Sequence, residues 1–408
     1  MKSDETWRAY SQRTIDGFIA RVRRIGNDTA PPVLFILATA LVTLAFSSSQ
    51  DQDATNRFVG DDKCLSCHQA QKNYLRTAHH FTSQLPTKES IAGSFETGKN
   101  VLNTPQAELR YRMDRTRDGF LQTAVLGTPP DTISISKQFD LVIGSGRKGQ
   151  TYLYWDKGDQ LFQLPVSYWT EVNSWVLSPG YGDRQMDFSR PVVPRCLECH
   201  ASYFEPMPDT ANSYRKTGYV LGISCERCHG PGGRHVALNV AKTATPANQA
   251  IVNVAKLNRE RQLDLCGLCH GGIGVAKAAP FSFVVGNTLE DYLHLTVPKP
   301  EDPVDVHGSQ MALLERSKCF TESTMTCSTC HDVHVPQREV RNFSERCLGC
   351  HKVSSCPVHS KQNIEQHCVD CHMPNQTSNV IFSSRDGVRI SPKVRSHWIK
   401  VYRTATTR

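Results

Sequence analysis

The pentapeptide Cys-x-x-Cys-His occurs seven times in this 408-residue chain, and no other feature limits its interior so strongly. The first cysteines are Cys64, Cys196, Cys225, Cys266, Cys327, Cys347 and Cys368. The second cysteines are Cys67, Cys199, Cys228, Cys269, Cys330, Cys350 and Cys371, and His68, His200, His229, His270, His331, His351 and His372 close the motifs. Together they take up 14 of the 16 cysteines.

Zinc also favours cysteines two residues apart, and a thioredoxin-like redox pair has the same spacing. Neither demands a histidine directly after every pair. Two thiols three positions apart do match the two vinyl groups of one porphyrin, and the next imidazole reaches the iron as its proximal ligand. The repeat therefore predicts seven covalently attached c-type haems, each with its iron. Such attachment takes place outside the cytoplasm. Cys319 and Cys356 are left over. In an oxidising compartment a disulfide between them is the favoured reading, and two buried free thiols are the alternative.

The N-terminal sequence agrees with export. Val33 to Phe46 is a run of 14 mostly apolar residues behind Arg21, Arg23 and Arg24. That is the length of a signal-peptide apolar region, whereas a spanning helix needs about 20 residues. Residues 1–49 are expected to be a cleaved signal peptide or an uncleaved membrane anchor, with any membrane contact confined to residues 30–49. Either places the rest in the periplasm or beyond.

The formal charge of +8 invites a nucleic-acid partner. Seven haems, each with two propionates, would bring it to about +1 with ferric irons and about −6 with ferrous ones. The basic excess then offsets propionates, no basic stripe interleaved with aromatics is present, and nucleic acid is excluded as a partner.

Seven proximal histidines leave nine of the 16: His79, His80, His235, His294, His307, His334, His359, His367 and His397. A six-coordinate haem needs one more strong ligand. His79 and His80 follow the first motif closely. His235 closes a glycine-rich stretch whose backbone can pass close to a flat porphyrin. His334 lies too near His331 to bind the same iron and would serve a neighbouring haem. His307, His359 and His397 sit in polar, loop-like sequence. His294 lies in an apolar run and reads as structural, and His367 abuts Cys368 with little freedom to reach an iron. Met373 reads as packing against a haem edge. The distal candidates are thus His79, His80, His235, His307, His334, His359 and His397.

Six motifs fall within residues 196–372, a density at which haems must touch one another. The expected fold class is a mostly α multihaem cytochrome, with closely stacked haems wrapped by short helices and loops and a small inserted antiparallel β-sheet. Residues 50–95 form the first haem segment, 96–190 the β-rich insert and 191–408 a six-haem domain. The insert is read from alternation at Leu109, Tyr111 and Met113 and from a strand, turn and strand over Tyr152–Leu164. Gly144-Ser-Gly146-Arg-Lys-Gly149 matches a dinucleotide fingerprint, but the strand-like Gln-Thr-Tyr-Leu-Tyr-Trp that follows marks a turn or bulge. No Walker motif and no G-x-S-x-G elbow occurs.

Several segments resemble exported multihaem c-type cytochromes with doubled haem motifs. They are Tyr74-Leu-Arg-Thr-Ala-His79, Cys225-Glu-Arg-Cys-His-Gly-Pro-Gly-Gly-Arg-His235, Met325-Thr-Cys-Ser-Thr-Cys-His-Asp-Val-His334 and Cys368-Val-Asp-Cys-His-Met-Pro374. Val142-Ile-Gly-Ser-Gly146, Gln163-Leu-Pro-Val-Ser167 and Ser178-Pro-Gly180 resemble the β-insert of some members. The group includes the tetrahaem cytochrome of nitrifying bacteria and, more distantly, octahaem hydroxylamine oxidoreductases and pentahaem nitrite reductases. The resemblance covers most of residues 60–400. It implies a mostly helical haem-stacking fold with bis-histidine ligation and supports His79, His235 and His334 as distal ligands by position. The catalytic lysine motif of the nitrite reductases, Cys-x-x-Cys-Lys, does not occur, and no tyrosine is marked as a haem cross-linker.

The expected function is electron transfer between a membrane-linked donor, such as a quinol-oxidising complex or another cytochrome, and a terminal acceptor. Two alternatives are an oxidoreductase acting on a small nitrogen or sulfur species at one open-coordination haem, and a subunit of an extracellular cytochrome filament. The mature protein is expected to show a Soret band and an intact mass seven haems above its polypeptide. Unmodified thiols at the paired cysteines would overturn the haem reading.

Overall fold

Alternation of apolar and polar side chains builds the first part of the fold. In a computed structural model of the chain, residues 57–402 are described apart from 209, 297, 298, 300–309, 359 and 379. All of these but Arg57 belong to one unit, Phe58–Arg408. The apolar run at 33–46, His307 and His359 lie outside the described residues. No helix among the described residues is long and apolar enough to cross a membrane.

Strands β1 (Ser83–Gln84), β2 (Val101–Asn103), β3 (Leu109–Thr116), β4 (Gly119–Thr128), β5 (Asp131–Gln138), β6 (Leu141–Ile143), β7 (Gly149–Trp155), β8 (Leu161–Gln163), β9 (Val166–Trp169) and β10 (Ser174–Leu177) form two antiparallel sheets. One is the meander β2-β3-β4-β5. The other runs β1-β6-β7-β9-β10, with β8 also paired to β7. On β3, Leu109, Tyr111 and Met113 point inward while Arg112 and Arg115 face solvent, as the two-residue period of a half-buried strand requires. They join Tyr152, Tyr154 and Trp175 in one core. The β7–β8 hairpin, with Leu153 opposite Gln163 and Trp155 opposite Leu161, occupies the segment read from sequence as strand, turn and strand.

Gly144 sits in the turn from β6 to β7 at φ +104°, and a Cβ there would meet the Gly149 carbonyl at 2.7 Å. The chain doubles back here as a hairpin instead of entering a helix, so the glycines serve the turn.

Strands β6 and β7 are covered on both faces. Val142 and Tyr152 enter the first core, whereas Leu141, Ile143 and Leu153 enter a second with Val192, Leu197 and Phe204. Leu197 lies inside the second Cys-x-x-Cys-His motif. The sheet is therefore the wall against which that motif is packed.

The helices are α1 (Asp61–Leu65), α2 (Pro194–His200), α3 (Cys225–His229), α4 (Gly233–Val240), α5 (Arg259–His270), α6 (Gln310–Leu314), α7 (Lys318–Thr321), α8 (Val340–Cys347) and α9 (Cys368–His372). The expectation of a mostly α fold is corrected. Helix makes up 27% of the described residues and strand 24%. The reason is local. Holding two thiols and an imidazole takes one turn, and breakers follow at once: Gly230-Pro231 after α3, Gly271-Gly272 after α5, Pro374 just past α9. Among the described residues only α5 reaches 12 residues, capped by the Asn258 side chain. Between the motifs the chain forms two-stranded antiparallel pairs, such as Ala201–Tyr203 with Val220–Leu221 and Asn375–Thr377 with Lys393–Arg395.

Gln122, fully buried on β4, ties the two sheets together. Its amide nitrogen donates to the Val166 carbonyl at 3.1 Å and its oxygen accepts the Val166 amide at 2.8 Å. Gln122→Leu would leave both backbone groups of Val166 unpaired. It is expected to cost about 1–3 kcal/mol for each group that finds no water, read as a lower midpoint in chemical denaturation.

Candidate haem-binding centre

Every motif is a single helical turn. In the first, fifth and sixth, the histidine amide donates to the carbonyl of the first cysteine at 2.9 Å. The second, third, fourth and seventh motifs lie within α2, α3, α5 and α9. One turn puts residues i, i+3 and i+4 on one side, so the two thiols and the imidazole face the same way.

Those of the first five motifs face a connected cavity of about 4300 Å³. Protein interiors hold few voids larger than a water molecule, and an ordinary ligand pocket measures roughly 300–1,000 Å³. The space is of the size needed by several large flat groups. The thiols and imidazoles of the first five motifs line it, together with Cys347, His79, His235, His334 and His397. His351, His372, Cys350, Cys368 and Cys371 stand outside this lining.

Four histidine pairs oppose each other. Ring centres of His68 and His235 are 6.3 Å apart with planes 24° from parallel; His229 and His334 are at 6.2 Å and 23°; His331 and His397 are at 6.3 Å and 24°. His270 and His79 are at 6.0 Å with planes 74° apart. Imidazole nitrogen bonds a transition metal at roughly 2.0–2.1 Å, and the ring centre lies ~1.1 Å further back. Two imidazoles sharing one metal thus have centres about 6.2–6.4 Å apart. In each pair one member closes a motif and the other comes from the distal candidates. The donor set and its spacing fit haem iron.

The outer nitrogens support the same role. Nδ1 of His229 lies 2.8 Å from the Val252 carbonyl, that of His235 2.7 Å from Gln249, that of His372 3.1 Å from Lys400 and that of His397 3.3 Å from Arg395. A carbonyl only accepts, so Nδ1 carries the hydrogen and Nε2 keeps its lone pair for a metal. Burial, with the neighbouring His79, His397 and His331, pushes His270 down to about 4. Burial, with His331, pushes His397 down to about 4. Burial also lowers His79 and His331. All four are held in the neutral form that ligates metal.

Of the adjacent candidates His79 and His80, only His79 faces the cavity. His80 turns to Asp61, 3.3 Å from its Nδ1, and lies edge-on to Tyr74. Burial pushes the Asp61 carboxyl up, but hydrogen bonds from His80 and the Cys225 amide outweigh it and hold it below the usual range. His294 pairs with Glu290 at 3.0 Å and His367 with Asp370 at 3.1 Å, both largely exposed.

The comparisons with known proteins agree with this geometry. Residues 182–230, which hold the second and third motifs, match the family described as cytochrome c554 and c-prime. The chain is 27% identical to the C-type polyheme cytochrome OmcC of Geobacter sulfurreducens over 230 residues, 48% of this chain and 28% of that protein. It is 24% identical to the multiheme cytochrome MtrA of Shewanella baltica over 197 residues, 44% of this chain and 45% of that one. Over these stretches the chain is similar to multihaem c-type cytochromes. It spans less than half the length of these two relatives. Its fold is similar to that of the outer cell wall cytochrome OcwA, with a TM-score of 0.52 at 18% identity, covering 84% of this chain and 79% of that one. The cofactor of this family is covalently held haem c with its iron.

Sequence reasoning missed the cytochrome's buried charges. Glu198 and Glu226 occupy the variable positions of the second and third motifs, each 2% exposed. Glu226 accepts the amides of Val59 at 2.9 Å, Gly60 at 2.9 Å and Gly232 at 2.7 Å. Glu198 accepts the Phe281 amide at 2.7 Å and the Tyr292 hydroxyl, with Arg195 3.5 Å away. Arg195 in turn donates to the carbonyls of Leu268, Gly272 and Ile273 at 2.6–3.0 Å. An acidic residue between paired cysteines was the available signal, since a motif packed on all sides can keep a carboxylate only if the backbone satisfies it. Arg195→Ala removes the countercharge of a buried carboxylate and is expected to destabilise the cytochrome by about 3–5 kcal/mol, measured as a loss in denaturation midpoint. Arg195→Lys, which cannot span three carbonyls, is expected to recover only part of it.

Proposed function

We propose that this cytochrome is a heptahaem electron carrier outside the cytoplasm, working between a membrane-linked donor and a terminal acceptor. The donor is a quinol-oxidising complex or another cytochrome. The observation that carries the reading is the set of four opposed imidazole pairs lining one cavity with five attachment motifs.

Bound haem supplies an iron that takes up and releases one electron. The chain's residues do the rest. Cys64 with Cys67, and the six further pairs down to Cys368 with Cys371, hold each porphyrin by two thioethers. His68, His200, His229, His270, His331, His351 and His372 would be the proximal ligands. His235, His334, His79 and His397, each opposite a motif histidine, would supply a second imidazole to four of the haems. The carbonyls of Val252, Gln249 and Arg395 fix the orientations of the His229, His235 and His397 rings. His307 and His359 are the distal candidates for the remaining motifs.

A second reading rests on one observation. His80 is engaged by Asp61 and does not line the cavity, which leaves six distal candidates for seven irons. An iron with a single imidazole would bind a small nitrogen or sulfur species, and the cytochrome would then be an oxidoreductase.

Electron paramagnetic resonance of the oxidised protein separates the readings. The carrier reading expects low-spin ferric signals alone, and a high-spin ferric signal in the unaltered protein would favour the oxidoreductase. His235→Ala is expected to convert one haem to high spin in either case. A low-spin spectrum that survives this change would sink the pairing of His235 with His68.

A further inference from the structure

Two imidazoles that serve different haems rest on one short stretch of backbone. His229 closes the third motif and opposes His334, whereas His235 opposes His68 of the first motif. His229 Nδ1 donates to the Val252 carbonyl at 2.8 Å, and the Val252 amide returns a bond to the His229 carbonyl at 2.9 Å. His235 Nδ1 donates to the Gln249 carbonyl at 2.7 Å. Residues 249–252 are thus a strap with one end on each ring, and the strap itself lines the haem cavity.

Between the two supporting carbonyls lies Ala250, at φ +49°. Alanine rarely takes this left-handed conformation, because its Cβ crowds the backbone and it has no polar side chain to bond locally in return. Such a residue persists where its surroundings over-determine it. Here the flanking residues are pinned to two imidazoles. The rings are held on their other side as well. The Glu226 carboxylate accepts the Gly232 amide, in the turn between His229 and His235, at 2.7 Å, and the Val59 and Gly60 amides, just ahead of the first motif, at 2.9 Å. When the strap moves, the rings therefore stay behind and the Nδ1 bonds lengthen.

A hydrogen bond from Nδ1 makes an imidazole a stronger donor to its metal and so favours the ferric state. We propose that residues 249–252 are a shared support that tunes the first and third haems together, with the left-handed turn at Ala250 holding both bonds in place. Ala250 touches no iron and acts through the two rings as a positioning residue. Displacing the strap weakens both bonds at once, and both potentials rise. Haems ligated by histidines that do not rest on the strap keep theirs.

The proposal rests on the pairings His68–His235 and His229–His334 of the carrier reading, and the test keeps the two apart. In electron paramagnetic resonance of the oxidised holoprotein, His235→Ala and His334→Ala each remove one low-spin signal, which assigns the signals of the first and third haems. Ala250→Pro, which forces φ to about −65°, is expected to shift both assigned signals and to raise both midpoints in a redox titration, leaving the other signals in place. Ala250→Val, which disfavours the left-handed region without removing an amide, is expected to do the same to a smaller extent and carries the test if the proline variant does not fold. Ala250→Gly, which takes φ +49° freely, is expected to change neither signal. A shift of one assigned signal alone, or of neither, in both the proline and valine variants would overturn the shared support and leave the carrier reading standing. A glycine variant that shifts both as far as proline does would overturn the role of the left-handed turn. If neither histidine variant removes a low-spin signal, the pairings themselves fail, and the strap with them.

Discussion

Two thiols and an imidazole fit on one turn of helix and demand nothing more, and the rest of the structure follows from that economy. The i, i+3, i+4 relation needs five residues of helical backbone. The chain supplies that much at each motif, and after the third, fourth and seventh it turns away through glycine or proline, as at Gly230-Pro231 and Gly271-Gly272. Short helices cannot bury much apolar surface among themselves. The described part of the haem half accordingly contributes a small cluster of its own around Leu268, Leu289, Tyr292 and Leu293, while the two larger clusters draw on the β-sheets.

The sheets therefore anchor what the motifs cannot. β7 presents Tyr152 and Tyr154 to one core and Leu153 to another, and the second core includes Leu197 from within a haem motif. Buried carboxylates do the same by hydrogen bonds. Glu226 draws the amides of Val59 and Gly60, just ahead of the first motif, onto the third motif. Glu198 and Arg195 join the second motif to the residues around the fourth. Such groups are costly to bury and are retained where several backbone partners satisfy them.

Much of the site was legible in the sequence. The seven motifs and the distal candidates His79, His235, His334 and His397 could be written down from spacing and local composition, and the structure brings those four opposite motif histidines. The hairpin over Tyr152–Leu164 was equally readable, because the period-two pattern is local. Two things were not. The choice between His79 and His80 depends on Asp61, remote in type and role from either, which takes up His80. The fold class was misjudged because a motif that implies a helix says nothing of how long the helix is. The two-stranded pairs such as Asn375–Thr377 with Lys393–Arg395 are set by tertiary pairing and carry little alternation of their own.

The hydrogen bonds behind His229, His235, His372 and His397 all end on main-chain carbonyls, those of Val252, Gln249, Lys400 and Arg395. A support of this kind belongs to the path of the chain and not to the identity of the residue. Val252, Gln249, Lys400 and Arg395 can each be exchanged without removing the acceptor, provided the backbone keeps its course. Drift at these four positions leaves the imidazoles oriented, so a family built this way can diverge widely in letters while its ligand geometry stands still.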